Sequence, residues 1–192
     1  MKVVAFNGSA RKKGNTATML RAVLGELDWA GIETELVSLA DYKLAGCNAC
    51  MKCAKNKDRR CAVDDGDMND MIARMIDADG IILGSPTYFA DVSTSMKALI
   101  ERCGMVSRVN GDLLRHKAGA AVVAMRRGGA AHVFSSMNYF FLIGQMIVVG
   151  SSYWNIGIGL KPGEVSGDEE GMRTMTDLGR NMAWLLPRLS DR

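Results

Sequence analysis

Cys47, Cys50, Cys53 and Cys61 stand in the pattern C-x2-C-x2-C-x7-C, in a chain with five cysteines in all. A loop wound about a polynuclear centre can present thiolates from positions i, i+3 and i+6, with a fourth from downstream. Bacterial C-x2-C-x2-C-x3-C runs serve iron–sulfur clusters in this way. Structural zinc usually takes two separated knuckles with two ligands each, and the seven-residue gap is short for that. Spacing alone leaves open thiols that hold nothing, or a labile disulfide. Lys52, Lys55, Lys57, Arg59 and Arg60 crowd the segment and would offset the negative charge of a thiolate-rich centre. Asp64, Asp65 and Asp67 read as acids at the start of a following helix, favoured there by its dipole. Cys103 stands apart on the apolar side of an expected helix and reads as a small buried hydrophobe.

A second group of residues could hold an anion. The stretch Asn7-Gly8-Ser9-Ala10-Arg11-Lys12-Lys13-Gly14-Asn15-Thr16 leads from a strand-like run straight into a helical pattern. Free N–H groups at the helix start, the hydroxyls of Ser9 and Thr16, the Asn15 amide and the Arg11 guanidinium could together bind a phosphate monoester. The plainer alternative is a helix cap supplied by Asn15 or Thr16. Neither familiar nucleotide motif fits: five residues separate Gly8 from Gly14, Asn15 replaces the P-loop lysine, and Ser38 closes the second strand where a dinucleotide site needs an acid. A receiver domain would be expected to carry acids at the end of the first strand, where this chain has Asn7.

Two further loops could seat a flat ring. In Gly84-Ser85-Pro86-Thr87-Tyr88-Phe89-Ala90-Asp91-Val92-Ser93, the rigid Pro86 is followed by a hydroxyl and two aromatics, with a helix expected to start near Ser93. Backbone donors and Thr87 could meet the carbonyls and ring nitrogens of an isoalloxazine while Tyr88 or Phe89 supports its face. Met125-Arg126-Arg127-Gly128-Gly129-Ala130 adds two cations, and two glycines that let backbone N–H groups approach the pyrimidine edge. Which arginine faces inward is left open. The aromatics could instead simply cover the end of the sheet.

The elements that must position these residues alternate in type. Short apolar runs at about 2–6, 33–38, 80–84, 118–125 and 147–153 are separated by helical spacings such as Leu20, Leu24 and Leu27. That order predicts an α/β fold: a five-stranded parallel sheet in the order 2-1-3-4-5 with helices on both faces. Ligands then bind beyond the carboxyl ends of the strands near the switch point, at the loops after residues 6, 84 and 125. The expected organisation is one domain over residues 1–192 with a cysteine-rich insertion at about 41–66. At 48% hydrophobic and 23% charged residues, with a formal charge of +3 from interspersed groups, nucleic acid is not an expected ligand. The start of the chain shows no secretory pattern and no stretch is long and apolar enough to span a bilayer, so the expectation is a cytoplasmic protein that avoids membranes. His116 and His132 lie near no Ser or Cys in sequence and read as structural or surface residues. The apolar stretch Phe140, Phe141, Leu142, Ile143, Met146 and Ile147 could be an interface or a core helix.

Jointly these residues resemble the NADPH-dependent FMN reductase group of flavodoxin-like proteins, and specifically its iron–sulfur flavoprotein branch. The resemblance rests on Gly8-Ser9-Ala10-Arg11 with Gly14-Asn15-Thr16, the compact cysteines, Asp64-Asp65, Gly84 to Phe89, Arg127-Gly128-Gly129 and Gly150-Ser151-Ser152-Tyr153-Trp154. It implies a flavodoxin-like three-layer sandwich. It implies an FMN phosphate held by Ser9, Arg11, Asn15 and Thr16, and a ring held by Pro86, Thr87, Tyr88 and Phe89, beside the Arg127-Gly128-Gly129 loop. It implies a [4Fe–4S] cluster on Cys47, Cys50, Cys53 and Cys61, and a homodimer or homotetramer. The expected activity is FMN-dependent oxidoreduction with a redox partner such as ferredoxin or a small-molecule acceptor, NAD(P)H being a conceivable co-substrate. The alternatives are an NAD(P)H-dependent FMN or quinone reductase with empty cysteines, and a flavodoxin-like carrier.

Overall fold

The computed structural model describes residues 1–63 and 67–190. Apolar runs buried on both faces make its centre: β1 (Lys2–Asn7), β3 (Gly80–Pro86) and β4 (Ala118–Met125) are buried almost end to end. Parallel strands covered by helices on both sides read this way. The edge strand β2 (Glu33–Ser38) is more polar and only partly buried. All pairings are parallel in the expected order, β2-β1-β3-β4, and the next position is shared by β5 (Ile147–Val148) and β6 (Ile156–Ile158), both against β4.

Alternate strand residues feed two cores. On one face Val4, Phe6, Ile81, Leu83 and Val123 meet α3 (Met68–Asp77), α4 (Thr94–Val109) and α5 (Ala130–Ile143). On the other, Val3, Ala5, Ile82 and Val122 meet α1 (Asn15–Trp29) and α6 (Glu169–Ser190). The helices bury residues three and four apart, as in Met71, Ile72 and Met75 of α3 or Leu178, Met182 and Leu186 of α6. Each large side chain so buried is worth roughly 1.5–3 kcal/mol relative to exposure. α2 (Lys52–Asn56) is a little over one turn long and carries Cys53. α4 begins where expected, with Ser93 Oγ accepting the Met96 N–H at 3.3 Å. Among the described residues no helix is long and apolar enough to cross a membrane.

Two sequence expectations change in detail. The run expected as one strand over 147–153 pairs only at Ile147–Val148. Gly150-Ser151-Ser152 then leaves the sheet, and the buried Asn155 returns it: its side chain donates to Ala121 O at 2.9 Å and its carbonyl accepts from Val123 N–H at 2.9 Å. The apolar stretch 140–147 is likewise divided. Phe140 and Phe141 are buried in α5, Leu142 and Ile143 are exposed at its end, and Ile147 belongs to β5.

Register sets the site. Asn7 lies opposite both Ser38 and Gly84, and Pro86 opposite Ala124, so the strands finish nearly level and their following loops lie side by side.

Candidate functional site

The first loop forms a cradle that its own backbone stiffens. Ser9 N–H donates to Asn7 Oδ1 at 3.1 Å, Arg11 N–H to Ser9 Oγ at 3.1 Å, and Gly14 N–H to Arg11 O at 3.0 Å. Gly8 N–H donates to Gly84 O at 2.7 Å, tying the loop to the neighbouring strand; a Cβ at Gly8 would stand 2.8 Å from Ser93 Oγ and 3.1 Å from Gly84 O. The N-cap of α1 is Gly14, which has no side chain to offer. Asn15 and Thr16 therefore lie in the first turn rather than capping it, and the positive helix end is left to a ligand. Asn15 Oδ1 accepts Val165 N–H at 3.4 Å, which leaves its amide NH2 as the donor.

These groups line a cavity of about 190 Å³ with Ser9, Arg11, Asn15 and Thr16 on one wall and Pro86, Thr87 and Tyr88 on another. Arg126 and Gly159-Leu160 complete it, and Arg11 donates to Leu160 O at 3.3 Å. Arg11 and Arg126 are the charged residues among its described lining, with no carboxylate, which suits a dianionic phosphate. The Gly159-Leu160 wall is braced from outside: the exposed Glu164 accepts from Leu160 N–H and Lys161 N–H, each at 2.8 Å. Those bonds hold its carboxyl below the usual carboxylate range.

The ring-seating loop carries both strain and an unmet donor. Tyr88 and Asp91 exchange backbone hydrogen bonds of 3.0 Å, closing a two-residue turn in which Phe89 and Ala90 have φ of 49° and 61°. Non-glycine residues in this left-handed region cost about 1–2 kcal/mol each. Phe89 consequently points fully into solvent and does not line the cavity, whereas Pro86, Thr87 and Tyr88 do. Thr87 Oγ1 is buried with no hydrogen-bond partner, a deficit of about 1–3 kcal/mol that a polar ligand atom would relieve. Gly129 (φ 85°) packs on this loop; a Cβ there would sit 3.0 Å from Ala90 Cα and 3.1 Å from Thr87 Cγ2. Arg127, Gly128 and Gly129 line an adjoining space of about 330 Å³, with Met125 shared between the two and Tyr153 and Trp154 at its side. Neither His116 nor His132 lines either cavity.

The four compact cysteines are free thiols that line a single small pocket: Cys53 is buried, Cys47 and Cys61 half-buried and Cys50 exposed. Ala49 and Met51 take φ of 55° and 56°, so the chain turns tightly between thiols. Cys47 N–H donates to Glu101 Oε2 at 3.2 Å, and Asn69 grips Cys61 twice, accepting its N–H at 2.8 Å and donating to its carbonyl at 3.0 Å. Burial, and then the proximity of Cys61 and Cys47, push the Cys53 thiol up. Such mutual repulsion is what a cationic metal centre would relieve. Four soft sulfur donors on one pocket, their backbone fixed by neighbouring helices, fit an iron–sulfur cluster. Asp67 stands at the N-cap of α3 as expected, its carboxylate accepting Lys43 N–H at 3.4 Å; Asp64 and Asp65 lie outside the described residues. Cys103 is buried in the core, its thiol pushed up to about 12 by desolvation.

The sequence leaves open which of Arg126 and Arg127 faces inward: Arg126, the first residue past β4, lines the cavity with Arg11, and Arg127 lines the adjoining space. Other site residues carry little sequence signal. Glu101, Arg102 and Asn69 hold the cysteine segment from α4 and α3; of these only Arg102, a cation next to the apolar face carrying Leu99, Cys103 and Val106, left a trace. Gly159-Leu160 left none.

Residues 1–161 match the NADPH-dependent FMN reductase family. An iron–sulfur flavoprotein of Methanocaldococcus jannaschii is 40% identical over 190 residues, 95% of this chain and 96% of the relative. An iron–sulfur flavoprotein of Methanosarcina thermophila is 33% identical over 97% of this chain and 95% of the relative. Among solved structures, a flavodoxin from the domain Archaea superposes with a TM-score of 0.64 at 16% identity, covering 97% of this chain and 99% of that one, which shows the fold. With this flavodoxin-like sheet and the match across most of its length, the chain belongs to the NADPH-dependent FMN reductase family and is an FMN-dependent oxidoreductase.

Proposed function

We propose that this protein exchanges electrons between FMN and a [4Fe–4S] cluster held by Cys47, Cys50, Cys53 and Cys61. The observation that carries the reading is the arrangement of four free thiols around one pocket. A separate, acid-free cavity carries two arginines and an uncapped helix start. Ser9, Arg11, Asn15 and Thr16 hold the phosphate, Arg126 adding a second cation. Pro86, Thr87 and Tyr88 hold the ring with Arg127, Gly128 and Gly129 at its edge, and Phe89 stays at the rim. When bound, FMN supplies chemistry that takes a hydride or single electrons, and the cluster supplies single-electron chemistry. The chain's own part is to fix orientation, neutralise the phosphate and satisfy the ring's polar atoms through Thr87 and backbone N–H groups; no side chain is required as a proton carrier. The curated relatives bear the name iron–sulfur flavoprotein over nearly their whole length, which supports the cluster reading. We further read residues 1–192 as one domain that assembles as a homodimer or homotetramer and meets a redox partner such as ferredoxin or a small-molecule acceptor, with NAD(P)H as a co-substrate.

A second reading, an FMN-dependent reductase with empty cysteines, draws on one observation. The space enclosed by the thiols is only about 20 Å³, and among the described residues no three His, Cys, Asp or Glu side chains converge on a single ion position. A cluster therefore requires the segment to spread on its exposed Cys50 side. The deciding experiment is an absorption spectrum with iron and acid-labile sulfide assays on anaerobically purified protein, beside Cys50→Ser. Flavin bands with about four iron and four sulfide per chain, lost in the variant, support the first reading. Flavin with no iron in either protein leaves the second, and absence of flavin overturns both.

A further inference from the structure

Among the described residues Arg102 is the one charged side chain that is buried, at 2% exposure. It lies in the middle of α4 and turns its guanidinium into the cysteine segment. One nitrogen donates to Cys61 Sγ at 3.2 Å and also to Val63 O, and the other donates to Ala45 O at 3.4 Å. A single side chain thus ties together the two ends of the segment, residues 45 and 63, and also touches one of the four thiols. The guanidinium keeps its charge at any working pH, and its planar fork fixes several acceptors at once.

The surrounding charges differ in kind. Lys52, Lys55, Lys57, Arg59 and Arg60 are largely exposed, so solvent and salt weaken their influence. Glu101, next in sequence to Arg102, has its carboxylate on Cys47 N–H, at the opposite end of the cysteine pattern. Among the described residues, Arg102 thus meets the segment at Cys61 and Glu101 meets it at Cys47.

We propose that Arg102 is a positioning residue for the iron–sulfur centre, holding Cys61 in place and, through its fixed charge, making the centre easier to reduce. This assignment rests on the cluster reading above. Reduction adds one electron, and so one negative charge, with no proton required; a permanent cation in a poorly solvated place against a ligating sulfur stabilises the more negative state. Hydrogen bonds to ligating sulfurs act in the same direction.

The test compares the wild-type full chain with Arg102→Lys and Arg102→Gln, all purified anaerobically and loaded with iron, sulfide and FMN. Iron content, FMN content and the cluster midpoint potential are measured, the last by a redox titration followed by electron paramagnetic resonance. The Gln protein is expected to titrate at a lower potential than wild type and the Lys protein between them, with FMN content unchanged in both. Loss of iron from the Gln protein with retention in the Lys protein also supports the assignment, because charge then suffices to hold the site. A Gln protein with wild-type potential, a Lys protein as low as Gln, or loss of iron from both with FMN retained overturns the role of the charge. Wild-type protein that takes up no iron overturns the cluster reading itself, an outcome distinct from a wild-type cluster indifferent to residue 102.

Discussion

The phosphate cradle and the cysteine segment are built from opposite materials. The cradle sits where β1, β3 and β4 end level and α1 begins, so its donors are fixed by sheet register and by a helix start, elements each buried in a core. The cysteine segment lies between β2 and α3; its described residues from Lys43 to Val63 hold little more than one helical turn, α2, and keep their shape through left-handed residues and a few polar bonds from Glu101, Arg102 and Asn69. One site is a by-product of the fold; the other is a loop tied down after the fold exists. Losses at the first should weaken a ligand by degrees, whereas losses at the second should release its centre.

The sharpest way to break this contrast is a crossed pair of variants. Cys50→Ser is expected to abolish iron while FMN stays bound. Thr16→Val is expected to leave iron in place and weaken FMN about 10- to 100-fold, the loss of one hydrogen bond to a charged group. Flavin fluorescence titration and iron assay on the same samples check both; joint loss of the two cofactors in either variant would show the sites to be one cooperative unit.

Asn69→Ala comes next, since it leaves Cys61 N–H and C=O without their partner. A stability loss of about 1–3 kcal/mol by urea denaturation, with faster iron release to a chelator, is expected. Unchanged iron release would show that Asn69 serves the fold alone.

Two pH effects separate core from rim. Cys103 is held up to about 12 by burial, from an ordinary value near 9. Between those values the unfolded chain has lost this proton while the folded chain keeps it. Stability therefore falls as pH rises, by about 1.4 kcal/mol per unit for one proton, and is unaffected by this group below 9. Cys103→Ala should flatten that part of the stability profile measured between pH 9 and 11. The smallest effect belongs to Glu164, whose carboxyl is held down by two backbone N–H groups. Its contribution is present above its ordinary value and is lost as pH falls through the lower folded one. Glu164→Gln should remove a slight acid-side slope in stability, read from urea denaturation at a series of pH values below the ordinary carboxylate value of 4.5.

The cradle was legible because its signals are local. Gly8, Gly14 and the polar residues between them follow a strand and precede a helix, and the apolar runs of β1, β3 and β4 indicate which loops must be neighbours. What was not legible arrives from far along the chain. Leu160 closes the cavity 149 residues after Arg11, and no periodic pattern links the two. Arg102 stands 41 residues from Cys61, on a helix whose next residue, Cys103, is buried in the apolar core. Phe89 shows a different limit: residue type suggested a ring support, but the left-handed turn at Phe89 and Ala90 turns it outward. The run 147–153 reads as one strand because Ile147, Val148 and Val149 favour extended chain; the chain leaves the sheet at Gly150-Ser151-Ser152, and the buried amide of Asn155 brings it back against β4.

That interruption bears on how the sheet meets other proteins. The outer side of β4 is covered by a two-residue strand and a three-residue strand, and between them the Asn155 side chain occupies Ala121 O. A long bare edge invites strand addition from another chain and, from there, aggregation. Here such an intruder would find no uninterrupted ladder on that side, a safeguard against fibrillar association that leaves the apolar sequence of β4 intact.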